Sequence, residues 1–426
     1  MRSRIRQLAA LSVIALLGSL FAIPSTAQAQ ANLTVQVSNP IFLGANCNPE
    51  TFEGCRSGES MRFLAPTLNV HKGDNLTFDF AGFHTASLLP VGQDWLAFRA
   101  ANTGGVGRQY SQVIPDPDDS TAEGAPADKP AVKANPNVVN RHIGGTPAQC
   151  GDAANPCIYD GDKVVHSGLP FGPGAFVVRI NANPGQGFWV MCFLHTHMVL
   201  RVNVVGNNET ATTQAQIDST KASMIAFDQE WAQSTDAQLL RAKASHVTAS
   251  GERVYDVKTG VDSHWANINA FYPKKLSVPR GATVRYHFEQ LIYEDHTATM
   301  PTGTDAAPGG FALFDEFFVP SCDPDGDGGV GPDTPANFDA QDPSQLCANP
   351  TQLEFDVSSR GTWGFGDGIF TGRSDLEHSG FRGPQGTTQN FYDVTFQARS
   401  TKAGWGVFCL VHGPSMLNKV LVKPLR

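Results

Sequence analysis

Short apolar segments, separated by glycine and proline, recur along most of the chain. Four of them are rich in Val, Phe, Tyr and Thr and cover residues 76–80, 175–180, 284–288 and 391–396. Segments of this length, bounded by turn residues, predict β-strands. Two further runs, GFWVMC ending at Cys192 and GWGVFC ending at Cys409, are apolar and aromatic and predict buried strands. The pattern therefore predicts an all-β protein.

One segment breaks this pattern. Residues 207–246 are rich in Ala, Gln, Asp and Lys and contain no Gly or Pro, and Ile217, Met224 and Trp231 recur at sevenfold spacing. This composition and spacing predict a helical linker that packs along one domain by its apolar stripe.

The N-terminal segment has the layout of a secretory signal. Three arginines lie within the first six residues, an apolar run covers 8–23, and Ala-Gln-Ala follows at 27–29. The alternative is a membrane anchor, but the run is shorter than the roughly 20 residues that a span requires. We therefore expect cleavage of a signal peptide at 1–29, a periplasmic or secreted protein, and no membrane span after signal removal.

Length and charge narrow the possible partners. The chain has 426 residues, with 31 Lys and Arg against 40 Asp and Glu, which gives a net charge of −9. This length allows two or three domains. A net negative charge argues against nucleic acid and against anionic membrane surfaces as partners.

An internal duplication divides the chain into two similar halves. Four residues recur 208 positions later: Phe63, Leu68, Val70 and Gly73 match Phe271, Leu276, Val278 and Gly281. His84-Thr-Ala and His166-Ser-Gly recur 212 positions later, at His296 and His378. We therefore predict two β domains, at 30–206 and 247–426, joined by the linker at 207–246.

Near its C-terminal end, each half contains a cysteine, a histidine and a methionine within one short loop. These residues are Cys192, His195 and Met198 in the first half and Cys409, His412 and Met416 in the second. A thiolate, an imidazole and a thioether together suit copper, whereas zinc would recruit more Cys or His. Such a copper site needs a second histidine, and the duplication offers His84 and His296.

These residues resemble the cupredoxins, and among them the plastocyanin, amicyanin and halocyanin type of blue copper protein. The resemblance covers both halves and implies two tandem Greek-key β-sandwich domains, each with a type 1 copper site. It implies the ligands His84, Cys192, His195 and Met198 in the first domain and His296, Cys409, His412 and Met416 in the second.

The resemblance has further implications for the surroundings of the copper ions. The backbone after the first histidine, here at Thr85 and Thr297, should donate a hydrogen bond to the cysteine sulfur. The rings of His195 and His412 should have exposed edges through which electrons pass to redox partner proteins. We expect His197 to lie on the surface, because alternation along an extended segment would point it away from His195. We interpret His166 and His378 as structural or surface residues.

The predicted function is therefore electron transfer through two copper centres. The alternatives are copper handling or storage, and a copper oxidoreductase completed by a partner or by an oligomer interface. Multicopper oxidases use several His-X-His pairs, but this chain has one. Copper nitrite reductases place a histidine directly before the cysteine, where this chain has Met191 and Phe408. The oligomeric state stays open.

The other six cysteines lie in loop-like sequence and most simply pair locally. The expected pairs are Cys47 with Cys55, Cys150 with Cys157, and Cys322 with Cys347, one of 15 possible connectivities. Between the last two lie Asp323, Asp325 and Asp327, which resemble the start of a calcium-binding loop. Thr334 occupies the position of the usual bidentate Glu, so an acidic, solvated turn is the alternative.

Overall fold

A computed structural model of the chain describes fourteen segments. They are residues 30–48, 55–82, 84–102, 138–140, 150–167, 174–192, 195, 197–292, 296–300, 367–372, 377–380, 382–383, 390–409 and 412–424. The predicted signal peptide and the aspartate loop with its flanking Cys322 and Cys347 lie outside these segments.

The described part of the first half contains twelve strands and one helix. They are β1 (Asn32–Val37), β2 (Pro40–Leu43), β3 (Arg56–Ser60), β4 (Thr67–His71), β5 (Asn75–Phe80), β6 (Ser87–Leu88), α1 (Trp95–Asn102), β7 (Val138–Asn140), β8 (Cys157–Tyr159), β9 (Val164–His166), β10 (Gly174–Ile180), β11 (Gly187–Met191) and β12 (Val199–Val205).

The described part of the second half begins with a long helix and continues in strands. They are α2 (Gln214–Leu239), β13 (Ser245–Val247), β14 (Arg253–Asp262), β15 (Ala266–Tyr272), β16 (Lys275–Pro279), β17 (Thr283–His287), β18 (Thr299–Met300), β19 (Ile369–Phe370), β20 (Glu377–His378), β21 (Phe391–Phe396), β22 (Trp405–Cys409) and β23 (Gly413–Lys423).

Two β-sandwiches follow from the strand pairing, so the predicted all-β fold class is confirmed. The first consists of sheets in the orders β1-β5-β10-β8 and β4-β12-β11-β6-β9-β7. Alternate residues of both sheets point into one core, for example Phe78 and Phe176 from one sheet and Phe188 and Leu200 from the other. Burial of one face of each strand explains the period-two apolar pattern in the sequence.

The second sandwich repeats much of this arrangement and extends one of its two sheets. Its sheets have the orders β19-β21-β17-β14-β15-β3-β2, with β13 paired to β14, and β16-β23-β22-β18-β20. Strands β2 and β3 belong to the first half of the sequence, yet they extend a sheet of the second half. The pairing of β3 with β15 joins the two sandwiches through backbone hydrogen bonds.

Helix α2 lies where the sequence predicts a helix, but its packing differs from the prediction. Thr213 caps its N-terminus, with a capping box formed by Gln216. Of the predicted stripe, Ile217 is buried, whereas Met224 and Trp231 are only partly buried. The most buried side chains include Asp228 and Asp236, and the helix contacts β1, β2 and β3 as well as β15. It therefore packs against both halves: Arg56 and Arg62 of the first half pair with its buried aspartates, and Tyr272 of β15 donates a hydrogen bond to Asp236.

Two disulfides lie in the first half. Cys47 is bonded to Cys55 and Cys150 to Cys157. Each closes a short loop next to a strand, β3 in one case and β8 in the other. Among the described residues, no helix is long and apolar enough to cross a membrane.

Candidate metal centres

The first cluster brings together one cysteine and two histidines from separate parts of the sequence. His84 lies just before β6, Cys192 directly follows β11, and His195 lies in the loop between β11 and β12. The Nδ1 atoms of His84 and His195 are 2.9 Å apart, and Cys192 Sγ lies 3.6 Å from Nδ1 of His195. All three residues are buried. Two imidazole nitrogens and a sulfur therefore face one common point.

The second cluster repeats this geometry with its own three residues. Cys409 Sγ lies 3.5 Å from Nδ1 of His296 and 3.5 Å from Nδ1 of His412. In each cluster, one nitrogen of each histidine and the cysteine sulfur all lie within 4.8 Å of one another. These are the residues that the duplication and the resemblance single out, and the fold brings each set together.

A backbone N–H donates a hydrogen bond to each cysteine sulfur. The Thr85 N–H donates a hydrogen bond to Cys192 Sγ at 3.4 Å, and the Thr297 N–H donates one to Cys409 Sγ at the same distance. The residue after each first histidine therefore does what the resemblance implies. Such a donor stabilises negative charge on sulfur and fixes the direction of its remaining lone pairs.

The two methionines are buried in the same cores as the cysteines. Met198 is fully buried with Cys192 in the first core, and Met416 is fully buried with Cys409 in the second. The Met198 carbonyl accepts a hydrogen bond from the backbone N–H of Cys192 at 3.0 Å, so the loop between them closes on itself.

The histidines favour thiolate over thiol in both clusters. Burial by itself would raise the pKa of Cys409, but the adjacent His296 and His412 outweigh it and lower that pKa to about 5. Burial likewise opposes ionisation of Cys192, yet His195 and His84 hold its pKa well below the usual value. A deprotonated thiol is the form that binds metal, so each cluster offers a ready sulfur donor.

Within the part of the chain that the structure describes, a carboxylate distinguishes the first cluster from the second. The Nε2 atom of His84 lies 3.0 Å from Oε2 of Glu59, which belongs to β3. Burial by itself would lower the pKa of His84, but the Glu59 carboxylate outweighs burial and raises it to about 9. Glu59 is absent from the residues predicted from sequence, because no metal-binding motif includes it. Extending the offset of 208 from Phe63 back to position 59 would have revealed the difference, since Asn267 occupies the equivalent position.

The repeated His-Ser-Gly motif is structural. Ser167 Oγ accepts a hydrogen bond from the Ala86 N–H, and Ser379 Oγ accepts the equivalent bond from the Ala298 N–H.

The histidines of the motif are buried and hydrogen-bonded. Nδ1 of His166 lies 2.6 Å from the Ser87 Oγ, and His378 has the same relationship to Thr299. Burial lowers the pKa of His166 to about 3 and that of His378 to about 4. Both imidazoles are therefore neutral and support the segment that follows the first histidine.

His197 lies on the surface outside the first cluster, although not for the predicted reason. Its φ of 66° is left-handed, so the segment is not extended there. The ring stacks edge-on against Trp95, and its centroid lies 6.1 Å from that of His264, in the turn between β14 and β15. The loop that carries His195 therefore lies beside the second half of the chain.

The expectation of exposed ring edges at both clusters is wrong for the first. His195 is only 5% exposed, whereas His412 is partly exposed. The two clusters therefore differ in how far solvent reaches the histidine that follows the cysteine.

The donor set of each cluster determines what it can hold. One thiolate and two imidazoles, with a thioether buried nearby, suit copper in either oxidation state because soft sulfur favours Cu(I) and imidazole binds both. A structural zinc site would use four Cys or His ligands, whereas each cluster supplies three. The residues present therefore fit a copper ion, held by His84, Cys192 and His195 or by His296, Cys409 and His412.

Comparisons with known proteins add little to this geometry. No protein-family profile and no curated protein matches the chain. Among solved structures, a blue copper oxidase from Nitrosomonas europaea is 9% identical, covers 64% of this chain and 67% of its own, and has a TM-score of 0.17. A copper nitrite reductase from Nitrosomonas europaea is 10% identical over 64% of this chain and 72% of its own, with a TM-score of 0.16. A multicopper oxidase is 8% identical over 93% of this chain and 88% of its own, with a TM-score of 0.18. At these scores, the likenesses carry no argument about function.

Proposed function

We propose that this protein is a two-domain copper protein of the cupredoxin type that carries or relays electrons through two type 1 copper centres. The observation that carries this proposal is the repeated cluster, in which the sulfur of one cysteine and one ring nitrogen from each of two histidines lie within 4.8 Å of one another. When bound, copper would supply one-electron chemistry by alternating between Cu(I) and Cu(II).

The residues around each cluster suit this role because they hold the donors in place. A backbone N–H fixes each sulfur, and the buried His-Ser-Gly motif fixes the strand after the first histidine. Burial of the cysteines excludes water from the sulfur. A donor set that is already in place changes little when an electron arrives or leaves, which favours fast transfer.

Electrons would enter or leave through the more accessible ring. His412 is partly exposed, so we propose that redox partner proteins dock over the loop of the second cluster.

The Cys47–Cys55 and Cys150–Cys157 disulfides are consistent with a function in an oxidising compartment such as the periplasm or the extracellular space.

The test is a copper titration of the full chain, followed by electron paramagnetic resonance and visible spectroscopy. We expect two coppers per chain, an intense thiolate-to-copper absorption, and narrow copper hyperfine splitting from both centres. Cys192→Ser and Cys409→Ser should each remove one centre and leave the other. His246→Gln is the control. His246 is exposed and hydrogen-bonded to Asp256, and its substitution should leave both copper centres in place.

Other results would assign a different function. A colourless protein that binds only Cu(I) would favour copper handling or storage. Turnover of nitrite or phenols by the isolated copper-loaded protein would favour an oxidoreductase. Failure of both clusters to bind copper would overturn the proposal.

A further inference from the structure

The strand pair that joins the two halves places equivalent residues of the duplication opposite each other. Strands β3 and β15 pair antiparallel, with Glu59 opposite Asn267. The same offset of 208 relates β4 to β16, which have the same bounds after the shift and pair with β12 and β23 in the same way. Glu59 and Asn267 are therefore equivalent positions, and a local twofold relationship between the halves passes between them.

The two copies differ in chemistry at this shared position. Asn267 is neutral and fully buried, and its Oδ1 accepts a hydrogen bond from the backbone N–H of Glu59 at 2.8 Å. Glu59 carries a carboxylate that reaches the first cluster. The duplication has thus placed a carboxylate at one of two equivalent positions, beside the predicted ligands of the first cluster, and an uncharged amide at the other.

The Glu59 carboxylate is held firmly against His84. Its Oε2 accepts from His84 Nε2 at 3.0 Å and from the Ser38 hydroxyl at 2.8 Å. Gly82 leaves room for it, since a Cβ there would lie 2.4 Å from Oε2. A proton on Nε2 leaves the Nδ1 lone pair of His84 free to face Cys192 and His195.

Among the described residues, the equivalent histidine of the second cluster, His296, has no such support. His296 Nε2 is buried, and no described residue forms a hydrogen bond with it. Gly260 lies directly against it, because a Cβ at Gly260 would be 2.4 Å from Nε2. In the described part of the chain, an uncharged glycine backbone therefore faces His296 where a carboxylate faces His84.

We propose that Glu59 makes the two copper centres electronically unequal, giving the first a lower reduction potential than the second. This inference rests on the proposed function. A carboxylate that accepts the Nε2 proton of a metal-binding histidine makes the other ring nitrogen a stronger donor. Its negative charge also stabilises the more positive, oxidised ion across a buried, weakly screened distance. An electron shared between the centres would therefore rest on the second, whose His412 ring is partly exposed.

The test compares the potentials of single-centre, copper-loaded chains by optical redox titration. Cys409→Ser keeps only the first centre and Cys192→Ser only the second. We expect the first centre to have the lower potential. Adding Glu59→Gln to the Cys409→Ser chain should increase the Cu(I) to Cu(II) ratio at a fixed potential about tenfold, a rise of about 59 mV for one electron. Adding it to the Cys192→Ser chain should leave the second centre unchanged.

The matched control is Glu289→Gln, which removes the same charge from a surface ion pair with Lys258 and should leave both potentials unchanged. Equal or reversed potentials in the two single-centre chains would overturn the inference, and that comparison holds even if the Glu59→Gln chain does not fold. An unchanged first-centre potential in a folded, copper-bound Glu59→Gln chain would also overturn it. Failure of the unmodified chain to bind copper would instead remove the proposed function itself.

Discussion

Asp228, in the middle of α2, is buried against Arg62, with 2.6 Å between Oδ1 and the arginine Nη2. Their side chains are only 1% and 11% exposed. The second Asp228 oxygen accepts from Arg62 Nε at 3.0 Å, so the pair is bidentate. Further along the helix, Asp236 forms an ion pair with Arg56 and accepts a hydrogen bond from the Tyr272 hydroxyl at 2.6 Å. Two buried ion pairs thus attach the helix to the strands that join the halves.

We expect Asp228→Ala to lower the free energy of unfolding by about 3–5 kcal/mol, because it leaves the Arg62 guanidinium buried without its partner. Denaturant unfolding followed by circular dichroism measures this. Asp218→Ala, at an exposed position that pairs with Lys221, is the control and should change it by no more than about 0.5 kcal/mol. Equal effects of the two changes would contradict the importance of the buried pair.

We expect Gly260→Ala to disrupt the second cluster and spare the first. Gly260 has φ +73° in a β-bulge, and an added Cβ would lie 2.4 Å from His296 Nε2, so the ring must move. Copper quantification should give one centre per chain instead of two.

Gly251→Ala is the matched control for this change. Gly251 also has a positive φ, +86°, but an added Cβ would meet nothing within 4 Å. Both substitutions impose similar backbone strain, of roughly 1–2 kcal/mol, and only one displaces a histidine. Retention of both centres in Gly260→Ala would show that His296 tolerates the shift.

We expect the Cys409 thiol of the metal-free protein to titrate near pH 5, because His296 and His412 outweigh burial and lower its pKa to about 5. The ultraviolet absorbance of the thiolate, taken as the difference between Cys192→Ser and Cys192→Ser/Cys409→Ser chains, should fall as the pH drops through this value. His412→Gln removes one of the two imidazoles that lower the pKa of Cys409 and should shift the transition to higher pH. A transition near the ordinary cysteine pKa would show that the histidines do not act on the sulfur.

We expect the stabilising effect of His287 to depend on pH. Burial opposes protonation of His287, but hydrogen bonds to Glu289 and Asp256 outweigh burial and raise its pKa. A raised folded-state pKa means that the contribution is fully present below the unfolded pKa of about 6.5. It is lost as the pH rises through the folded value.

Unfolding of the unmodified protein and of His287→Gln should therefore differ most at mildly acidic pH and converge at alkaline pH. The hydrogen bonds from His287 and Lys258 outweigh the effect of burial on Glu289 and lower its pKa to about 2, so its contribution persists until the pH falls through that value. Glu289→Gln removes one acceptor and should reduce the pH-dependent difference. Parallel stability curves across the range would contradict this coupling.

Part of the fold is encoded locally and was accessible from the residue pattern. The predicted runs at 76–80 and 391–396 lie in β5 and β21, because a half-buried strand alternates apolar and polar residues. The aromatic runs before Cys192 and Cys409 form β11 and β22, and the Gly-free segment forms α2. The duplication singled out His84 and His296, which lie 108 and 113 positions from their cysteines in sequence and which the fold brings to each sulfur.

Other features have no local signal, because they depend on contacts between segments that are distant in sequence. The arginines that pair with Asp228 and Asp236 lie more than 160 positions away in sequence, so the helix pattern alone indicated an apolar stripe. The placement of His197 beside His264 likewise depends on contact between two segments that are distant in sequence.

The residue pattern was enough to predict two all-β halves, the helix between them and the repeated Cys, His and Met residues, because strand periodicity, helix composition and motif spacing are properties of short stretches. It could not predict that β3 crosses to the sheet of the other half and carries Glu59 to His84. The pairing of β3 with β15 depends on which strand edges meet in the folded chain, and the sequence of neither strand specifies its partner.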